Sequence, residues 1–197
     1  VLDINRNTVM GDLTDSGEGA ALNIGSGASL SVNGASSLSS STIQGSGTLT
    51  LRDTLEISGT ASLQGGVLLD LAKDDDSTGT LDLGSTSGST VSGIGGEGTL
   101  KSAGGVLTVN TGNSGGGSVF SGTLEGRGQL NISGNAGQTF ENVMTAAGSS
   151  CAVNSTGLLN IRMGGTVDNP RANTALTLSS LTLGDGSSTN FTFNTDY

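Results

Sequence analysis

Apolar residues alternate with Ser, Thr, Asn or Gly along almost the whole chain. Leu22 and Ile24, Leu30 and Val32, Leu49 and Leu51, and Leu55 and Ile57 begin the series. Leu69 and Leu71, Leu81 and Leu83, Leu107 and Val109, and Leu130 and Ile132 continue it. Leu159 and Ile161, Leu176 and Leu178, Leu181 and Leu183, and Phe191 and Phe193 complete it. A period of two puts the apolar set on one face of a strand and the polar set on the other. No comparable stretch has the i, i+3, i+4 spacing of an amphipathic helix. The pattern predicts an all-β chain of short strands, each followed by Gly, Ser, Asn or Asp. Gly reaches positive φ without penalty, and Asn and Asp tolerate it, so these residues turn the chain sharply.

One local motif recurs. Ile43-Gln-Gly45-Ser-Gly47-Thr-Leu49 returns as Ile94-Gly-Gly96-Glu-Gly98-Thr-Leu100 and as Leu124-Glu-Gly126-Arg-Gly128-Gln-Leu130. Three copies of [IL]-x-G-x-G-[TQ]-L mark a repeat protein, whose units bury their apolar faces only by stacking. The copies are 51 and 30 residues apart. That irregular spacing is expected to mark places where loops such as 72–79 protrude.

Two architectures suit many short strands with frequent turns: an antiparallel sandwich or barrel, or a parallel β-solenoid. Recurrence of one motif favours the solenoid. So do the small aliphatic side chains, since the chain has four Phe, one Tyr and no Trp. Hairpin signals are also sparse, limited to Asn33-Gly34 and Asp185-Gly186. With coils of ~22 residues, about nine would stack at roughly 4.8 Å each into a rod on the order of 40 Å long. The two sheet ends of such a rod invite pairing with other chains, so end-to-end or side-by-side self-association is expected unless caps or further coils cover them. The 197 residues are read as one segment, 1–197.

Charge narrows the partners. The net charge is −10, from 17 acidic and seven basic residues with no His. Phosphate backbones and anionic lipid would repel such a chain, so nucleic acid and membrane surfaces are not expected partners. The basic residues Arg6, Arg52, Lys73, Lys101, Arg127, Arg162 and Arg171 form no patch in sequence. No apolar run approaches 18 residues, so no helical membrane span is expected. Val1 opens the sequence without a leader pattern, and Asn194-Thr195-Asp196-Tyr197 follow directly on a strand pattern. A removed or upstream signal peptide and a longer parent protein are therefore expected.

Candidate chemistry is thin. Cys151 is the only cysteine, and Cys151-Ala-Val153 places it at an apolar position, as a buried core residue. Without His there is neither Ser–His–Asp catalysis nor the commonest zinc ligand. The phosphate-cradling glycine loops and calcium-binding nonapeptides are missing too. Two acidic groupings remain. Asp70-Leu-Ala-Lys73-Asp74-Asp75-Asp76, followed by Asp82, reads first as a solvated loop between Leu71 and Leu81. Asp74, Asp75 and Asp76 are weak candidate ligands for Ca²⁺, and an acid–base carboxylate pair of a glycan-cleaving enzyme is a remoter reading. Arg52-Asp53-Thr-Leu-Glu56 reads as an outer strand face where opposite charges on neighbouring coils pair. No catalytic residue or cofactor is assigned. The sequons Asn131-Ile-Ser133, Asn154-Ser-Thr156 and Asn190-Phe-Thr192 are explained by composition. Thr48, Thr50, Thr80 and Thr108 look too irregular in sequence for an ordered outward threonine array.

Ser92-Gly-Ile-Gly-Gly-Glu-Gly-Thr-Leu100, Gly104-Gly-Val-Leu-Thr-Val109 and Phe120-Ser-Gly-Thr-Leu-Glu-Gly-Arg-Gly-Gln-Leu-Asn-Ile-Ser-Gly134 form a series. Together they resemble the autotransporter-associated β-strand repeat of bacterial passenger domains. Ser179 to Phe193 resembles the strand–turn–strand segments that follow such repeats. The resemblance covers about 79–145 and 175–193 and is weaker elsewhere. It implies a right-handed parallel β-helix (β-solenoid) exported to the surface of a Gram-negative-type bacterium. An outer-membrane barrel often follows in that family. The third copy departs with Gln129 for Thr, and Phe140-Glu-Asn stands where the family tends to have an aromatic beside Thr-Gly. The family carries no catalytic residues to transfer. The leading expectation is a structural stalk or scaffold of a secreted or cell-surface protein, anchored through a region outside this sequence. An adhesin, binding host glycan or surface protein through an outer face or the 72–79 loop, is the alternative.

Overall fold

The computed structural model describes residues 1–15, 19–112, 117–163, 176–185 and 187–193. Arg171 and the tail from Asn194 to Tyr197, read above, lie outside them. Among the described residues there is no helix, and twenty-four strands wind around one apolar interior. β1 (Leu2–Ile4) and β2 (Thr8–Met10) open the first coil. β3 (Ala21–Ile24), β4 (Ser29–Val32) and β5 (Ser36–Leu38) form the next. β6 (Thr42–Gly45), β7 (Thr48–Leu51) and β8 (Thr54–Ile57) follow, then β9 (Ser62–Leu63), β10 (Leu68–Leu71) and β11 (Thr80–Asp82). The fifth coil has β12 (Ser87–Val91), β13 (Gly93–Gly96) and β14 (Thr99–Ser102), and the sixth β15 (Val106–Asn110), β16 (Ser118–Phe120) and β17 (Thr123–Gly126). β18 (Gln129–Ser133), β19 (Gln138–Glu141) and β20 (Met144–Thr145) come next. β21 (Cys151–Ser155), β22 (Leu158–Met163), β23 (Leu178–Leu183) and β24 (Ser188–Phe193) complete the stack.

Every ladder between these strands is parallel. This rules out the antiparallel sandwich and makes the chain a parallel β-solenoid. One face holds nine strands, β2-β4-β7-β10-β13-β16-β19-β22-β24. A second holds six, β5-β8-β11-β14-β17-β20. The third begins as β1-β3-β6-β9 and continues as β12-β15-β18-β21-β23. No ladder joins β9 to β12, and the β12–β15 ladder that follows carries a bulge between Ser87 and Ser89, where Gly88 takes φ +107°. There the Leu63 N–H donates to the buried Ser89 hydroxyl (3.2 Å) in place of a ladder carbonyl.

In-register stacking turns the alternation into columns. Leu30, Leu49, Leu69 and Ile94 follow one another inside the nine-stranded face, all fully buried. Beside them run Val32, Leu51, Leu71, Gly96, Phe120, Phe140 and Ile161. Phe120 and Phe140 meet edge to face with ring centres 6.3 Å apart. Each buried aliphatic contributes about 1.5–3 kcal/mol relative to exposure, so the columns supply the main favourable term. The last rung departs from the sequence expectation. Leu183 and Phe191, read as interior, are about half exposed. They sit on β23 and β24, the outermost strands of their faces, where no described strand covers them.

Candidate functional site

The glycine motif builds corners, and its three copies occupy three different ones. Gly45 ends β6 beside Ile24, Gly96 ends β13 beside Leu71, and Gly126 ends β17 beside Ser102. Each copy thus lies one corner further round the coil than the last. This corrects the reading of the spacing as a map of protruding loops. The 72–79 segment lengthens one coil, but the step to the next corner also shifts the repeat. All three leading glycines have positive φ: +122°, +87° and +91°. A Cβ there would run into the carbonyl oxygen of Ile24, Leu71 or Ser102 on the coil before. Those carbonyls accept corner N–H groups instead: Gly47 to Ile24 (3.0 Å), Gly98 to Leu71 (2.7 Å) and Arg127 to Ser102 (2.9 Å). The glycines are needed for coil-to-coil approach.

The acidic cluster read from the sequence is dispersed. Asp70 lies on the nine-stranded face and accepts from the Thr50 hydroxyl (3.3 Å). Asp82 lies on the six-stranded face, where it accepts from the Gly84 N–H (2.9 Å) and pairs with Lys101 (3.0 Å). Between them residues 72–79 form a small hairpin. Lys73 bridges Thr78 antiparallel, the Asp74 N–H donates to Ser77 (2.9 Å), and Gly79 donates to Ala72 (2.6 Å). Asp74 is ion-paired with Arg52 of the preceding coil. Asp75 and Asp76 are exposed at the tip. Among the described residues no three His, Cys, Asp or Glu side chains gather to hold a metal ion.

Opposite charges do pair between coils, as expected of Arg52 and its neighbours. On the six-stranded face Glu56, Asp82, Lys101 and Glu125 form one outward column. Lys101 sits among three carboxylates, and its pKa is raised, first by the hydrogen bond and charge of Asp82, then by Glu125 and Glu56. The neighbouring column is Thr54, Thr80, Thr99 and Thr123, an ordered threonine ladder that the irregular sequence spacing concealed. Nearer the first coil, Asp15 accepts N–H groups from Ser39 (3.0 Å), Ser40 (2.8 Å) and Ser41 (2.7 Å). Consecutive N–H groups of this kind form an anion nest. They hold the Asp15 carboxyl far below the usual range, Ser40 contributing most. A lone Asp in a turn gives no sequence signal of this role. Cys151 is buried as expected, and burial pushes its thiol pKa up.

A shallow groove of about 650 Å³ crosses three successive coils. It is lined by Gln64, Gly65 and Gly66 after β9, Gly88, Thr90 and Ser92 at β12, and Asn110 to Gly112 after β15. No charged residue lines it. Its location follows from the bulge at Gly88, invisible without the register. No protein-family model, curated protein or solved structure matches the chain.

Proposed function

We propose that this chain is a structural stalk segment of a secreted or cell-surface bacterial protein, built to hold distance and carrying no reaction of its own. The carrying observation is the unbroken succession of parallel rungs, nine deep on the longest face. The polar groups that sequence reading offered as chemistry are largely spent inside it. Asp82 holds Lys101, Asp74 holds Arg52, and Asp70 accepts from Thr50. Partition into a bacterial passenger of the autotransporter kind rests on the glycine-motif series, in which the structure shows a corner-forming role for each copy. Limited proteolysis of intact cells of the source organism, read with an antibody to this segment, tests the location. Removal of the epitope by protease outside unbroken cells supports surface display. Detection only after lysis overturns it.

A second reading, adhesion, is favoured by the 72–79 hairpin, which projects exposed carboxylates at Asp75 and Asp76 from an otherwise regular stack. Binding of host glycan or surface protein that is lost in Asp75→Asn/Asp76→Asn supports it. Unchanged binding in that variant removes the hairpin as the contact.

A further inference from the structure

Charge is distributed unevenly around the solenoid. The six-stranded face carries Glu56, Asp82, Lys101 and Glu125 on its strands. The nine-stranded face carries Asp70, Glu141 and Arg162. In contrast, β12, β15, β18, β21 and β23 contain no Asp, Glu, Lys or Arg at all. These five consecutive rungs make one continuous uncharged strip on the outside of a chain with net charge −10.

Neutral hydrogen-bonding groups take the place of charges. Thr90, Thr108, Asn131, Asn154 and Thr182 form one outward column. Gln129 lies in the next column, in register with Val106 and Ala152. The amides are already ordered: Gln129 Nε2 donates to Asn131 Oδ1 (2.8 Å), and Asn154 Nδ2 donates to the same oxygen (3.2 Å). The groove of about 650 Å³ borders this face through Thr90, Ser92 and Asn110. Its glycines leave the backbone open to approach, since a Cβ on Gly88 or Gly112 would meet nothing within 4 Å.

We propose that this face and its groove bind a neutral polysaccharide laid along the solenoid axis. Sugar hydroxyls exchange hydrogen bonds with amides and hydroxyls, and neither partner buries a charge, which would cost far more than burying a bonded neutral group. Pre-ordered amides lose little freedom on binding. The overall negative charge repels anionic polymers, so selection falls on uncharged ones. With no aromatic platform in the groove or the column, each sugar contributes little, and affinity comes from several rungs engaged together.

Affinity gel electrophoresis of the full chain through gels cast with dextran, hydroxyethylcellulose or galactomannan tests this, with carboxymethylcellulose as the charged counterpart. At least one neutral polymer should retard the chain, its disaccharide should not compete, and carboxymethylcellulose should not retard. Thr90→Glu and Thr108→Glu, each checked for an unchanged melting profile, should weaken retardation about tenfold. Thr99→Glu on the six-stranded face should leave it unchanged. No retardation by any neutral polymer, equal retardation by carboxymethylcellulose, or full retardation of both face variants overturns the proposal. None of these outcomes bears on the stalk reading, which rests on location and rung order.

Discussion

The Gln138 side-chain amide pairs with the backbone of Ile94, forty-four residues earlier, as if it were a ladder peptide. Its Oε1 accepts the Ile94 N–H (3.0 Å) and its Nε2 donates to the Ile94 carbonyl (2.9 Å). Gln138 is fully buried. The reason lies in the strand between them: β13 and β16 share only the Gly96–Phe120 pairing, so Ile94 finds no ladder partner on the next rung. The amide of Gln138 reaches past β16 and supplies both groups, and also donates to the Ser118 carbonyl (3.3 Å). Ser89 does the same for Leu63 at the other slip in the stack.

Gln138→Leu keeps the volume and removes the bonds, leaving both Ile94 groups buried and unpaired. A loss of about 1–3 kcal/mol is expected from urea denaturation. Gln138→Glu places a carboxyl in the same buried position, where desolvation raises its pKa above the unfolded value. The unfolded chain then binds fewer protons than the folded one, so stability falls as pH rises. The Glu variant should be weaker at about pH 7 than at about pH 4.5, while Gln138→Leu shows no such difference. A Leu variant as stable as the parent would remove the bridging role.

Alanine at the motif glycines separates backbone approach from turn flexibility. Gly126→Ala combines positive φ with a collision at the Ser102 carbonyl and should cost about 1–3 kcal/mol in thermal or urea unfolding. Gly27, at φ +74° with open space around it, should cost about 1 kcal/mol as Ala. Gly11, with neither positive φ nor a neighbour within 4 Å, should stay within about 0.5 kcal/mol. Equal effects at Gly126 and Gly27 would contradict the carbonyl collision.

Much of this was legible in the sequence. Leu30, Leu49 and Leu69 advertise their inward columns because alternation is intact in β4, β7 and β10, and the glycine motif names its own corners. Gln138 and Asp15 were not legible. A Gln in a β pattern ordinarily faces water, and its inward turn depends on a missing ladder pair that only the register reveals. Asp15 meets Ser39 to Ser41 one coil away, through contacts that no spacing rule encodes. The exposure of Phe191 likewise depends on which rung is last in the stack.

The Lys101 column is a surface feature, and its effect should be small and salt-sensitive. Asp82→Asn should lower stability by about 0.2–1 kcal/mol at low salt, and the difference should fade near 1 M NaCl, where screening acts within about 3 Å. Because the Lys101 pKa is raised in the folded chain, its contribution is complete below the ordinary value of 10.5. It is lost as pH climbs through the raised folded value. Urea midpoints measured across that alkaline window check the sign.

Asp15 behaves oppositely. Its folded pKa lies below the ordinary 3.8, so its contribution is present above that value and disappears as pH falls through the folded one. Amide exchange by NMR should show Ser39, Ser40 and Ser41 protected at about pH 5 and less so in Asp15→Asn. Identical protection in the two proteins would contradict the nest.

The central claim is that the coils stack in parallel, in the order β4-β7-β10-β13-β16-β19-β22 along one face. Spin labels at Ser31 and Asn160, in a Cys151→Ala background, lie six rungs apart on that face. Pulsed dipolar EPR should give one narrow distance near about 29 Å between label sites, from roughly 4.8 Å per rung, adjusted for the label arms. A distance below about 20 Å, or a broad distribution with no maximum near that value, would contradict the stacked solenoid.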